Sequence, residues 1–157
     1  TRDYYFEIIE KVRKAKPDIA LSSDFIIGFP GETDQDFDDT LDLIRRVKYM
    51  NSYSFKYSPR PGTPAANKEL INYEILDERL ERTQALLNEQ QLEYNKQFIQ
   101  RTVQVLIDGA GKHEGQVKGK SEFNQSVALQ GEKQIIGQII PVQIKEALTH
   151  SLLGERA

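Results

Sequence analysis

Near Arg101 the spacing of apolar residues changes, and that change governs what the chain can become. Upstream, Leu76, Leu80, Thr83, Leu87, Tyr94 and Phe98 recur at helical intervals, whereas downstream Val103, Val105 and Ile107 alternate with polar residues. A period near 3.6 does not suit a strand, and a period of two does not suit a helix. The spacing therefore predicts one long helix over about 74–101, with Asn72 as its N-cap, followed by an all-β module. Gly109 and Gly111 turn the first β run, and further short strands are expected over 116–118, 126–129, 137–147 and 151–153. Five short strands in the 56 residues after Arg101 fit a small barrel.

Before the long helix, Tyr5, Ile8, Ile9 and Val12 form the stripe of an amphipathic helix over 3–16, which Pro17 ends. The apolar, β-branched run 19–27 holds Ser22, Ser23 and Asp24 and reads as a buried strand. Thr33 and Asp36 form a capping-box pattern, and Phe37, Leu41 and Ile44 continue it as a helix. A second strand is expected over 53–57, then the stiff loop SPRPGTPA over 58–65, whose three prolines forbid regular structure. Helix, strand, helix, strand, helix is the order of a parallel α/β layer, whose ligand sites lie beyond the carboxyl ends of the strands. The loops GFPGET and SPRPGTPA both follow strands at that end and should lie side by side. The expected division is an α/β part, 1–101, and an all-β part, 102–157.

With 38% apolar and 29% charged residues, the 157-residue chain is of globular composition, and no apolar run is long enough for a membrane span. A cytoplasmic protein is expected. The chain starts at Thr1 and has one methionine, Met50, so it reads as a piece of a longer polypeptide. It has no cysteine, which removes disulfides, thiol catalysis and Cys-ligated metal clusters from these residues. Residues 1–101 carry 15 Lys and Arg against 18 Asp and Glu, and 102–157 carry 6 against 6. Neither part has the bulk basicity of an autonomous nucleic-acid binder.

GFPGET is neither a Walker loop nor a dinucleotide turn, because the Gly-Lys-Ser/Thr ending and the GxGxxG spacing are both missing. Its glycines permit close backbone approach, and the helix after Thr33 aims N–H groups at the loop, so it suits either a plain connection or a ligand wall. Asp24, inside an apolar strand, favours the wall. Arg60, held between prolines, suits a carboxylate or phosphate, or a structural bond to nearby carbonyls. Asp34, Asp36 and Asp38 lack the glycine of a calcium loop and fit the first turn of a helix, and His113 and His150 have no clustered carboxylates. In the β module, Lys118, Lys120, Phe123 and Asn124 offer cations, an aromatic face and an amide for single-stranded RNA, or simply a solvated hairpin tip.

The stretches PDIALSSDFIIGFPGETDQDF and YSFKYSPRPGTPAA, in that order before an all-β module, resemble the second half of the radical S-adenosylmethionine methylthiotransferases, tRNA-modifying members above all. The resemblance covers essentially the whole chain. It implies the last βα units of a partial radical-SAM (β/α) barrel, then a five-stranded, OB-like TRAM barrel that binds tRNA at the anticodon stem-loop. It also implies addition of a methylthio group to isopentenylated adenosine beside the anticodon, with S-adenosylmethionine and two 4Fe-4S clusters. The cluster-binding cysteines would lie upstream in the missing N-terminal part, so this chain alone would be inactive. Asp24, Gly28, Gly31, Glu32, Tyr57 and Arg60, with Pro59, Gly62 and Thr63, match the family's cofactor-side motifs. Two alternatives are a stand-alone RNA-binding module and a sister methylthiotransferase acting on a ribosomal-protein aspartate or threonylcarbamoyl adenosine.

Overall fold

A computed structural model describes residues 1–157. By contact density the chain divides into two compact units, Thr1–Leu87 and Asn88–Ala157. The first contains helix α1 (Arg2–Ala15), strand β1 (Ser22–Ile27), helix α2 (Asp34–Val47) and strand β2 (Asn51–Lys56). A 3-10 turn, Pro64–Asn67, leads to helix α3 (Tyr73–Lys96), within which the division falls. The second unit adds β3 (Thr102–Ala110), β4 (Gln116–Ser121), β5 (Ser126–Gln130), β6 (Ile139–Ala147) and β7 (Leu152–Arg156).

Strands β1 and β2 pair in parallel, with Asp24 opposite Tyr53 and Ile26 opposite Phe55, as the α2 crossover requires. One face of this two-stranded sheet is covered. Phe25 and Ile27 join Phe6, Ile9, Phe37, Leu41, Ile44, Val47 and Leu76 in one core. The opposite face, with Asp24, Ile26, Tyr53 and Phe55, is open to solvent. The expected fully buried strand over 19–27 is thus half-buried, because no layer of these residues packs on that side. In α1 the buried residues are Phe6 and Ile9, while Ile8 is exposed, so the buried face is rotated from the expected stripe.

Residues at the helix ends follow the sequence pattern. Thr33 and Asp36 exchange hydrogen bonds as a complete capping box. The Asn72 side chain accepts from the Glu74 N–H at the start of α3. The helix stops at Lys96 rather than Arg101, and the chain leaves it through turns in which Gln100 has φ 68°.

The five β-strands close into a barrel in the order β3-β4-β5-β7-β6, since β3 pairs with both β4 and β6. Alternation along each strand sends Val103, Val105, Ile107, Val117, Val127, Leu129, Val142, Ile144 and Leu152 inward. Phe98, from before the first strand, belongs to the same core, and the Tyr94 and Phe123 rings flank it at 5.3 and 4.9 Å. Asn95, buried in the last turn of α3, donates to the Leu148 and Thr149 carbonyls and accepts from the Gln125 side chain at 2.9 Å. A buried amide with all these partners fixes where the helix end meets the strands.

Candidate functional site

Strand β1 ends at Gly28, whose φ of 75° turns the chain into the first loop. A side chain there would be strained by that φ, and its Cβ would lie 2.3 Å from Leu76 Cδ1 on α3, which would have to shift. Gly28 is therefore a point of close approach between the loop and α3. Gly31, at φ 92°, has open space around it. Between them Pro30 is buried and the Phe29 ring is exposed.

Glu32 closes the loop on itself. Its backbone N–H donates to the Phe29 carbonyl at 2.8 Å, and one carboxylate oxygen accepts from the Gly28 N–H at 3.0 Å. The other carboxylate oxygen pairs with the buried Arg79 guanidinium at 2.7 Å, and Arg79 also reaches the Glu32 carbonyl and, at 2.6 Å, Asp34. Glu32 is thus fully engaged within the protein and holds the loop rather than presenting a free carboxylate.

The second loop continues the sheet, with the Tyr57 N–H donating to the Ile27 carbonyl at 2.8 Å. The backbone then bends at Gly62, and the Thr63 N–H and hydroxyl both donate to the Arg60 carbonyl, which sets the turn into Pro64–Asn67. The two loops lie together, as the parallel pairing demands. Phe29 meets Tyr57 edge-on at 5.2 Å between ring centroids. Both line a cavity of about 430 Å³ with Arg60, Thr63, Pro64, Ala65 and Lys68. The Tyr57 hydroxyl is buried with no hydrogen-bond partner, an unmet polar demand beside this cavity.

Of the residues singled out by motif, Tyr57, Arg60 and Thr63 line this cavity; Gly28, Gly31 and Glu32 shape the loop beside it without lining it. Asp24 sits apart on the open sheet face, in register with Tyr53. Phe29 and Lys68 line the cavity without having been singled out. Phe29 had a signal, a large aromatic held between glycine and proline. Lys68 had none, because only the 3-10 turn brings it back.

In the second unit, Lys118 and Lys120 project outward from β4, and Lys120 Nζ donates to the Ser126 hydroxyl at 2.9 Å. Phe123 is half-buried against Phe98, so its ring is partly spent on the core. Asn124 has φ 61° and donates its N–H to the Ser121 carbonyl, which makes it the turn residue of the hairpin. Of these four residues, only the lysines and Asn124 are exposed. A separate cavity of about 610 Å³ opens beside the β3–β4 turn, lined in part by Lys112, His113 and Lys133. No group of three or more His, Cys, Asp or Glu side chains gathers as a metal site.

Residues 96–156 match the model of the TRAM domain family. The chain is 54% identical over 156 residues to a protein of Rickettsia akari (strain Hartford) named tRNA-2-methylthio-N(6)-dimethylallyladenosine synthase, aligning 98% of this chain with 35% of that one. The chain matches the C-terminal part of such synthases. Proteins of the same name from Rickettsia rickettsii (strain Sheila Smith) and Rickettsia canadensis (strain McKiel) are 54% and 52% identical, with the same coverage. The chain spans 35% of the length of these curated relatives. The TRAM match begins at Lys96, so it takes in Phe98 along with all five strands of the barrel.

Proposed function

We propose that this chain forms the S-adenosylmethionine-side wall and the tRNA-contacting domain of a cytoplasmic tRNA methylthiotransferase. The full polypeptide would add a methylthio group to isopentenylated adenosine beside the anticodon. The observation that carries the reading is the cavity shared by the GFPGET and SPRPGTPA loops, where Phe29, Tyr57, Arg60 and Lys68 converge. An aromatic pair, two cations and an unsatisfied buried hydroxyl fit a nucleoside joined to an amino-acid carboxylate. Tyr57 and Arg60 would hold it, Gly28, Gly31 and Glu32 would shape the loop against it, and Asp24 would extend the wall along the open sheet face.

When bound, S-adenosylmethionine supplies the sulfonium whose cleavage drives the chemistry. The residues of this chain bind and orient. They do not fit the iron–sulfur clusters, since thiolate ligands are absent from the sequence. The functional division we propose places cofactor contacts in 1–101 and tRNA contacts, through Lys118, Lys120, Phe123 and Asn124, in 102–157.

The test is an anaerobic methylthiotransferase assay of the full-length polypeptide carrying Arg60→Ala. The expected result is a KM for S-adenosylmethionine raised about tenfold with kcat and the KM for tRNA unchanged, the signature of a lost binding contact that ground and transition states share. An unchanged KM for S-adenosylmethionine overturns the cavity assignment. A cluster-loaded polypeptide that binds tRNA yet turns nothing over leaves an RNA-binding module as the better description.

A further inference from the structure

The feature of the first unit that simple fold stability explains least is the Arg79 ion-pair cluster. Arg79 is 5% exposed, and its guanidinium is shared between the loop and the helix that follows it. One nitrogen reaches Glu32 Oε1 at 2.7 Å and the Glu32 carbonyl at 3.3 Å, and the other reaches Asp34 Oδ1 at 2.6 Å. The Phe37 ring lies 5.3 Å from the guanidinium carbon. Removing a cation and a carboxylate from water is expensive, and an apolar pair would join α3 to the loop at least as well. What an apolar pair lacks is direction. The guanidinium nitrogen that bonds both the carboxylate and the carbonyl of Glu32 sets that carboxylate so that its second oxygen meets the Gly28 N–H at 3.0 Å.

Leu76, one turn before Arg79 on α3, presses on the bare Cα of Gly28. The helix thus holds the loop at both ends, by contact at Gly28 and by charge at Glu32. Phe29 lies between these two points and faces Tyr57 in the cavity. We propose that Arg79 is a positioning residue: through Glu32 it fixes the Gly28 amide and, with it, the direction of Phe29, so that the cavity is formed before ligand arrives. The ligand half of this statement rests on the S-adenosylmethionine reading above. The hydrogen bonds and ion pairs of Arg79 go to Glu32 and Asp34, neither of which lines the cavity, so it has no catalytic part.

Two measurements separate the latch from the ligand. In the 157-residue chain, hydrogen exchange of the Gly28 amide is compared with that of Leu41 and Ile44 in α2, which report wider opening. Arg79→Met should cost Gly28 about tenfold in protection beyond any loss at Leu41 and Ile44, as expected for a hydrogen bond to a charged acceptor. Arg79→Lys, which keeps the charge and loses the fork, should give a smaller loss and guards against a Met variant that does not fold. Asp34→Asn, which leaves Glu32 paired, should leave Gly28 unchanged. Gly28 protection that stays constant, or falls only in step with α2, overturns the proposal.

In the full-length polypeptide, Arg79→Met should raise the KM for S-adenosylmethionine and Arg79→Lys should raise it by less, each leaving the KM for tRNA within about twofold. A loosened Gly28 with an unchanged KM for S-adenosylmethionine upholds the latch and overturns the cofactor reading beneath it.

Discussion

Gly28 and Gly31 stand three residues apart in one loop, yet a methyl group meets different obstacles at each. At Gly31 the only cost is the positive φ, so Gly31→Ala should destabilise the chain by about 1 kcal/mol. At Gly28 the same φ penalty is joined by collision with Leu76, so Gly28→Ala should cost clearly more, in the range of about 2–4 kcal/mol typical of overpacking added to strain. Urea denaturation of both variants checks the order, and equal losses would show that α3 gives way freely. In the TRAM domain, the packing of Phe123 has to be separated from the RNA contact proposed for it. Its contact with Phe98 means that Phe123→Ala should destabilise the barrel by about 2 kcal/mol before any RNA is present. Lys120 lies on the surface with one hydroxyl partner, so Lys120→Ala should leave denaturation nearly unchanged and flatten the salt dependence of tRNA binding by about one unit or less in slope. A salt slope that does not move removes Lys120 from the contact surface.

At the scale of an element, α2 is held at its start by an exposed carboxylate. The Thr33 hydroxyl and backbone N–H both donate to Asp36, which holds its carboxyl below the ordinary value of 3.8. A carboxylate whose native pKa is depressed stabilises the fold fully above its unfolded value and loses that contribution as pH falls through the native one. The cap should therefore be intact at neutral pH and weaken only below about pH 3.8. Amide exchange in the first turn of α2, followed from pH 5 down to about pH 2.5, should show fraying in wild type and no comparable pH step in Asp36→Asn. If α2 frays near neutral pH instead, another group governs its start. Helix α3 depends on its two ends differently, with Arg79 ion-paired near the first and Asn95 amide-bonded near the last.

For the whole molecule, the decisive point is which residues the barrel needs in order to fold. Tyr94, Asn95 and Phe98 precede the first strand but supply an aromatic cluster and a buried amide network to the barrel. A fragment beginning at Asn88 should fold, whereas one beginning at Thr102 should lose about 3–5 kcal/mol or fail to fold, because a large buried ring and a satisfied polar network leave together. Circular dichroism and thermal melts of the two fragments decide it; equal stability would confine the domain to its strands. The intact chain, lacking any thiolate, should take up no iron–sulfur cluster on anaerobic reconstitution, and stoichiometric iron with visible absorbance would contradict that.

The order of elements, the two caps and the closed β module followed from local pattern, because periodicity, proline placement and capping chemistry act within a few residues of one another. The adjacency of the two loops also followed, since a parallel pair joined by a helix leaves both strand ends on one side. Three things required the tertiary structure. The loop glycines look alike in sequence, and only the approach of Leu76 separates Gly28 from Gly31. Arg79 lies 47 residues from Glu32, so nothing local marks it as the partner of the motif's carboxylate. Phe123 reads as an available ring until Phe98, across 25 residues of chain, is found packed against it. Each depends on a contact between distant segments, where side-chain volume and charge meet only after the backbone has folded.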